Sequence, residues 1–204
     1  QGNGDFAKEI VSVVTVARNH QEHGVTEDEE VGKFDLEKMK SLRPAFREDG
    51  TVTAGNASSI SDGAAALVVM SRRKTSELSI QPLVRIKGWS STSREPEWFT
   101  LAPAQAITTV LKQLGDSLTD VNLFEINEAF AVASIAVNRE LGLNPERVNV
   151  RGGAIALGHP IGASGARILT TLIHTMNDLG KRQGIASLCI GGGEAVAMMV
   201  ERAD

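Results

Sequence analysis

The chain has 204 residues, of which 42% are hydrophobic and 23% are charged, a composition typical of globular proteins. Its formal net charge of −4 at pH 7 excludes a broad positive surface, so we expect neither nucleic acid nor an anionic membrane as a partner. The single cysteine excludes an internal disulfide framework, and no cluster of Cys and His has the spacing of a metal site.

No apolar run reaches the roughly 20 residues of a membrane span or resembles a secretory signal. We therefore expect a cytoplasmic protein. The chain does not begin with Met, which suggests that it starts partway through a longer product.

The first eighty residues carry few regular patterns. Residues 10–16 form an apolar run that predicts a short strand, and residues 20–33 are rich in charge and predict a solvated surface loop. The character of the sequence changes near Gln81 and Pro82, where we divide the chain.

From residue 83 onward, strand-like runs alternate with helical periods. Strands are predicted at 83–89, 121–126 and 147–150, and each is followed by a helix. The buried stripes of the three helices are Ile107, Val110, Leu111 and Leu114; then Phe130, Ala133, Val137 and Leu141, ended by Gly142; and Leu169, Leu172, Ile173 and Met176 in a helix over about 162–179, capped by Gly180.

Two apolar runs, 185–190 and 195–200, close the chain and flank three consecutive glycines, which predicts a tight antiparallel turn. The predicted order is βαβαβαββ. It indicates an α/β fold with helices on both faces of a sheet that is mostly parallel and has an antiparallel last strand.

Three loops that follow predicted strands each contain an unusual polar group: Asn127 in NEAF, His159 in GGAIALGHPIGASG and Cys189 in SLCIGGGEA. Because ligands of such sheets bind beyond the carboxyl ends of the strands, we expect the three to converge. Each has a structural alternative: Asn127 as a helix N-cap, His159 as an exposed loop residue and Cys189 as a buried small side chain. The glycines after Cys189 favour backbone N–H groups that lower its pKa, so the set predicts a Cys/His/Asn site for acyl chemistry.

The segments NEAFA (127–131), NVRGGAIALGHPIGASGARIL (149–169) and CIGGG (189–193) closely resemble the thiolase family, most of all its acetyl-CoA acetyltransferases. GNASSISDGAA (55–65) and LRPAF (42–46) extend the resemblance over nearly the whole chain. It implies a thiolase-like fold in which residues 1–50 are part of a loop domain, 51–82 supply the final strand of an N-terminal half and a linker, and 83–204 form the C-terminal domain.

The resemblance also implies roles for individual residues. Cys189 is the acid/base, His159 activates a thiol and, with Asn127 acting through a water, binds the thioester oxygen, and the Gly191 N–H contributes to a second oxyanion site. Ser58 bonds the pantetheine arm, and the residues that line the pantetheine tunnel are Phe46, Ile60, Phe99 and Phe130. No cofactor or metal is implied beyond the coenzyme A thioester substrates.

The implied reaction is condensation of two acetyl-CoA to acetoacetyl-CoA and CoA, with the reverse thiolysis, in a homodimer or homotetramer. The acylated cysteine of the family has no counterpart in these residues, so we expect a missing N-terminal thiolase half as a partner and an inactive isolated chain. Two alternatives stay open, namely a thiolase for longer 3-ketoacyl-CoA and a non-catalytic CoA-binding fragment. Glu194, directly after CIGGG, either raises the pKa of Cys189 or points to solvent.

Overall fold

A four-stranded mixed sheet organises the C-terminal part of the chain. The computed structural model describes residues 1–203, and its sheet has the strand order β3-β6-β5-β4. The strands are β3 (Val84–Ser93), β4 (Leu123–Ile126), β5 (Gln183–Cys189) and β6 (Glu194–Arg202). Among neighbouring strands, β4 and β5 are paired in parallel, and β6 is paired antiparallel with both β3 and β5.

Helices cover both faces of this sheet, as predicted. They are α3 (Ala102–Leu114), α4 (Ala131–Leu141), α5 (Ala154–Leu157) and α6 (Ser164–Asp178). Helix α3 packs on one face, where Phe124, Ile185 and Met199 belong to its core cluster. Helix α6 packs on the other face, and its Ile168, Leu172 and Met176 meet the alternate strand residues Leu123, Ala186 and Val200. Successive strand side chains thus enter opposite cores, so the strands are apolar on both faces.

The N-terminal part is mostly exposed and has little regular structure. It contains the hairpin of β1 (Val13–Val16) and β2 (Glu22–Val25) and the short helices α1 (Leu36–Lys40) and α2 (Arg72–Glu77). Three short 3-10 segments complete the chain at Glu30–Lys33, Pro96–Leu101 and Pro145–Arg147. The predicted loop at 20–33 is indeed exposed, but it contains β2 and the first of these segments.

Residues 5–9 attach this region to α6. Phe6 is buried, the Arg151 guanidinium donates to the Asp5 carbonyl over 2.8 Å, and Thr171 Oγ1 donates to Glu9 Oε2 over 2.8 Å. Lys8 Nζ also donates to Asp178 Oδ1 over 2.5 Å, so one apolar anchor and three hydrogen bonds hold the start of the chain against the C-terminal domain.

The predicted strand directions are confirmed, whereas one predicted strand is wrong. β3, β4 and β5 run in the same direction, and only the last strand, β6, which lies between β5 and β3, is antiparallel to them. Residues 147–150 form no strand, only the isolated bridges Phe124–Val148 and Val150–Gly152. Residues 51–82, predicted to supply a strand and a linker, contain the isolated bridges Ala57–Phe130 and Ile60–His159 and helix α2, and their assignment to an N-terminal half stays a prediction.

The predicted helix ends are confirmed. Gly142 caps α4 with φ +62°, and Gly180 has the same φ just beyond α6. Glycine adopts this left-handed conformation without a steric penalty, so both helices stop where the sequence predicts. No helix among residues 1–203 has the length and apolarity needed to cross a membrane.

Candidate active site

Asn127 and Cys189 lie at the carboxyl ends of the neighbouring strands β4 and β5. The Asn127 N–H donates to the Ser187 carbonyl over 2.9 Å, which continues the pairing of β4 with β5 by one residue. Cys189 ends β5 two residues beyond Ser187. The predicted convergence of these two strand ends is therefore what the backbone produces.

His159 lies against Asn127 and is held from its other side by a serine. Its Nε2 is 3.4 Å from Asn127 Nδ2, and its Nδ1 is 2.5 Å from Ser164 Oγ. The Ser164 hydroxyl donates its one hydrogen to the Pro160 carbonyl over 3.0 Å, so the oxygen must accept from Nδ1. This network fixes the neutral tautomer with hydrogen on Nδ1, and Nε2 presents its lone pair toward Asn127.

The environment keeps this imidazole neutral. Burial lowers the pKa of His159 below its ordinary value of 6.5, and the positive charge of Arg167 lowers it further. At neutral pH, Nε2 is thus available to accept a proton, after which it becomes a hydrogen-bond donor.

Asn127 is buried and is not a helix cap. Phe130, not Asn127, is the N-cap of α4, which rules out the structural alternative for this residue. Its Oδ1 has no protein partner among residues 1–203 although only 3% of the residue is exposed. A buried acceptor without a partner is costly, so this oxygen is suited to a water or a ligand atom.

Cys189 is half-buried, and its protonation differs from the sequence prediction. Burial raises the pKa of its thiol above its ordinary value, against a smaller lowering effect of a backbone hydrogen bond. The expectation that nearby N–H groups lower this pKa is therefore wrong in this structure, since desolvation of the thiolate is the larger effect. Glu194 is exposed and points to solvent, the second of the two options for it.

In the glycine turn after Cys189, the first residue, Gly191, is exposed and the two that follow have positive φ. Gly192 and Gly193 have φ of +91° and +101°, and a Cβ on Gly193 would lie 2.2 Å from the Arg94 carbonyl oxygen. Gly191 is exposed, with no atom within 4 Å of the position of a Cβ. Its proposed oxyanion role stays a prediction.

The segment 55–61 lies along the site. The Ser58 N–H and Oγ both donate to the Ala129 carbonyl over 3.1 Å, and the His159 N–H donates to the Ser59 carbonyl over 2.8 Å. Ile60 bridges to His159 through the backbone while its side chain is 87% exposed. The structure thus brings Ser58 and Ile60 to the loops that contain Asn127 and His159.

Two of the three predicted tunnel aromatics touch. Phe46 and Phe130 meet edge to face with ring centroids 5.9 Å apart, although Phe46 is otherwise 72% exposed. Phe99 lies in the 3-10 segment Pro96–Leu101, which packs on α4. An exposed aromatic pair at the edge of the site fits the contact predicted for a ligand arm.

Sequence reasoning missed Asn149 and Glu128. The Asn149 side chain accepts from the Ile126 N–H over 2.7 Å and donates to the Ile126 carbonyl over 2.8 Å, so it pairs with β4 as a neighbouring backbone would. It also donates to Glu128 Oε1 over 3.0 Å, and Glu128 Oε2 accepts from the Ile155 N–H. These hydrogen bonds explain why residues 147–150 form no strand. Asn149 has a φ of +47°, and its side chain occupies the position beside β4 where the backbone of a strand would pair.

It also missed Ser164, Glu125 and Arg167. Arg167 Nη1 lies 3.3 Å from Glu125 Oε1, and burial raises the pKa of Glu125 to about 8. A single carboxylate inside the otherwise apolar strand LFEI was the available signal for this pair. Among residues 1–203, no three His, Cys, Asp or Glu side chains group as metal ligands.

An α/β domain with a neutral imidazole, a buried carboxamide and a thiol at one sheet edge is the arrangement of an enzyme for acyl or proton transfer. Comparison with known proteins identifies the class. The model of the thiolase C-terminal domain matches residues 80–202, and that of the thiolase N-terminal domain matches residues 1–73. This chain belongs to the thiolase family.

Individual relatives agree. A probable acetyl-CoA acyltransferase of Staphylococcus aureus (strain MRSA252) is 53% identical over 203 residues, covering 99% of this chain and 51% of the relative. The crystal structure of the Bacillus anthracis acetyl-CoA acetyltransferase superposes with a TM-score of 0.94 at 46% identity, over 98% of this chain and 51% of that one. That of the Acat5 thiolase from Ascaris suum in complex with coenzyme A gives 0.90 at 45% identity, over 98% and 51%. The chain therefore spans about half the length of its relatives.

Proposed function

We propose that these residues form the enolate-forming part of an acyl-CoA C-acyltransferase that condenses two acetyl-CoA to acetoacetyl-CoA and CoA and catalyses the reverse thiolysis. One observation supports this most directly. A neutral His159 presents the lone pair of Nε2 to a buried Asn127 that has an unpartnered oxygen, at the end of the sheet where Cys189 terminates β5.

The chemistry follows from the groups present. Cys189, as the thiolate, takes a proton from the methyl group of an acetyl thioester, and negative charge develops on the thioester oxygen. A thiolate is a much weaker base than this enolate, so the oxygen needs fixed donors. A water on Asn127 supplies one, and His159 supplies the other once its Nε2 has taken up a proton from solvent. Each donor of this kind is worth roughly 2.7–4 kcal/mol of transition-state stabilisation.

The carbon–carbon bond needs a second thiol. The enolate carbon attacks the carbonyl of an acyl group on another cysteine, the carbon–sulfur bond breaks, and the departing thiolate receives the proton held by Cys189. Cys189 is the only cysteine in these residues. We therefore propose that the acylated cysteine comes from outside them, in a further part of the thiolase N-terminal domain whose model residues 1–73 match.

Coenzyme A is the proposed binding partner, consistent with a similar thiolase that was crystallised in complex with it. Ser58, Ile60 and the aromatic edge of Phe46, Phe99 and Phe130 are proposed to hold its pantetheine arm, with Gly191 as a second oxyanion donor. We further propose a cytoplasmic homodimer or homotetramer that needs no cofactor beyond its thioester substrates. A pocket open near Phe99 would instead favour longer 3-ketoacyl-CoA substrates.

The test is deuterium exchange into the methyl group of acetyl-CoA, incubated with the purified chain in heavy water and measured by mass spectrometry. We expect exchange above background, because all the groups of the enolate step are present. Cys189→Ala should abolish it, and His159→Ala should slow it about 100-fold or more by removing one donor. His23→Ala, on the exposed strand β2, is the matched control and should leave the rate unchanged.

Two results would contradict the proposal. Exchange at the background rate with the unaltered chain, despite bound acetyl-CoA, would leave only a CoA-binding fragment. Formation of acetoacetyl-CoA by this chain alone would preserve the acyltransferase but show that no outside cysteine is required.

A further inference from the structure

The contact between Glu125 and Arg167 is a polar link inside an apolar core. Glu125 is 3% exposed and the Arg167 side chain 18%, with 3.3 Å between Oε1 and Nη1. Burying a carboxyl and a guanidinium costs solvation that apolar side chains of similar size would not lose, so stability alone does not account for the pair.

Glu125 and Arg167 each share a face of their element with a residue of the candidate active site. Glu125 precedes Asn127 by two residues on β4, so both face α6, as Leu123 also does. Arg167 follows Ser164 by three residues on α6, so these two share a helix face. The pair thus lies one layer beneath the chain of contacts from Asn127 through His159 to Ser164.

From this placement we propose that Glu125 and Arg167 are positioning residues. Their contact fixes the separation and register of β4 and α6, and so holds Asn127 and Ser164 on either side of His159. An apolar contact at the same place would tolerate sliding, whereas a hydrogen bond between a carboxyl and a guanidinium requires one distance and one direction.

The charges around the pair are consistent with this role. Burial raises the pKa of Glu125 to about 8, which favours its uncharged form beside Arg167. Glu9 and Asp28 are the other carboxylates that interact with the Arg167 charge, and burial raises the pKa of each. Glutamine therefore mimics the neutral form of Glu125, and leucine removes the acceptor at similar volume.

The experiment is histidine-selective nitrogen NMR of the purified chain, which reports the tautomer and pKa of His159. In the unaltered chain and in Glu125→Gln we expect hydrogen on Nδ1 and a pKa below 6.5. In Glu125→Leu, which keeps the Arg167 charge, we expect the Nδ1 signal to move toward the tautomer-averaged position and the pKa to rise toward about 6.5. Arg167→Met should do the same.

Two controls isolate positioning from other effects. Lys87→Met removes the partly buried Lys87–Asp116 contact of 2.6 Å on β3, at the opposite edge of the sheet, and should leave His159 unchanged. The signals of His20 and His23 should not move in any variant. If circular dichroism shows that Glu125→Leu is unfolded, Glu125→Asp, which withdraws the carboxyl by one methylene, takes its place.

The outcomes separate cleanly. His159 signals that stay unchanged in both Glu125→Leu and Arg167→Met would overturn the inference. A change of the His159 signals in Arg167→Met but not in Glu125→Leu would also overturn the inference, because it would show that only the charge of Arg167 acts on His159. The inference rests on the proposed function only for its consequence in catalysis. A failed deuterium exchange with the expected NMR result would reject that function and leave the positioning intact.

Discussion

Cys189 illustrates how burial decides the chemistry of a single residue. Its thiol is half-buried at the end of β5, and the glycines that follow it do not offset the desolvation of a thiolate. The residue is therefore a protonated thiol at neutral pH in the free chain. The proposed action of Cys189 as a base would require a bound substrate or a further segment of protein to change its surroundings.

We predict that alkylation of Cys189 by iodoacetamide is slow at pH 7 and accelerates with pH, with a midpoint above the ordinary pKa of a cysteine thiol. The sign follows because the thiolate is the reacting species and burial disfavours it. Cys189 is the only thiol, so mass spectrometry of the intact chain measures the reaction directly. A midpoint at or below the ordinary cysteine pKa of about 8.5 would show that polar neighbours of the thiol outweigh the effect of burial.

At the scale of elements, the contact between α6 and β5 depends on Gly184. A Cβ there would lie 2.7 Å from Met176 Sδ and 2.8 Å from Leu172 Cδ1, and both of those side chains are fully buried. Gly165, within α6 itself, has only Leu188 Cδ2 near its Cβ position, at 3.9 Å. These two glycines provide a matched pair for testing the packing.

We predict that Gly184→Ala lowers the free energy of unfolding by roughly 1–3 kcal/mol, because the core must shift to admit the methyl group. Gly165→Ala should raise it by up to about 1 kcal/mol, because alanine favours helix and has room. Urea unfolding followed by circular dichroism measures both. Equal effects of the two substitutions would contradict the packing described for this interface.

The fold of the whole molecule leaves an apolar surface uncovered. Residues 64–70 are extended without a strand partner among residues 1–203, and Val68 and Val69 are 87% and 70% exposed. Beneath them, a cavity of about 750 Å³ reaches β3, β6 and α6. An exposed apolar segment with unpaired backbone groups is a typical site of association.

We predict that the purified chain self-associates at micromolar concentration and that Val68→Lys combined with Val69→Lys shifts it toward a monomer of 21.7 kDa. Size-exclusion chromatography with light scattering measures the mass. Leu179→Lys, which alters a 52% exposed residue after α6, is the control and should not change it. A monomeric unaltered chain would show that this segment does not drive association.

The sequence by itself determined the α/β class, the helices with their glycine ends, and the convergence of Asn127, His159 and Cys189. Each of these follows from local periodicity or from the rule that sites lie at the carboxyl ends of strands.

Only the tertiary structure decided the strand order, the absence of a strand at residues 147–150, the tautomer of His159 and the pKa of Cys189. Strand order depends on which edge the last hairpin occupies, which no local pattern encodes. The pairing of Asn149 with β4 and of Glu125 with Arg167 joins residues 23 and 42 positions apart. Protonation depends on desolvation, which exists only once the surrounding core has formed.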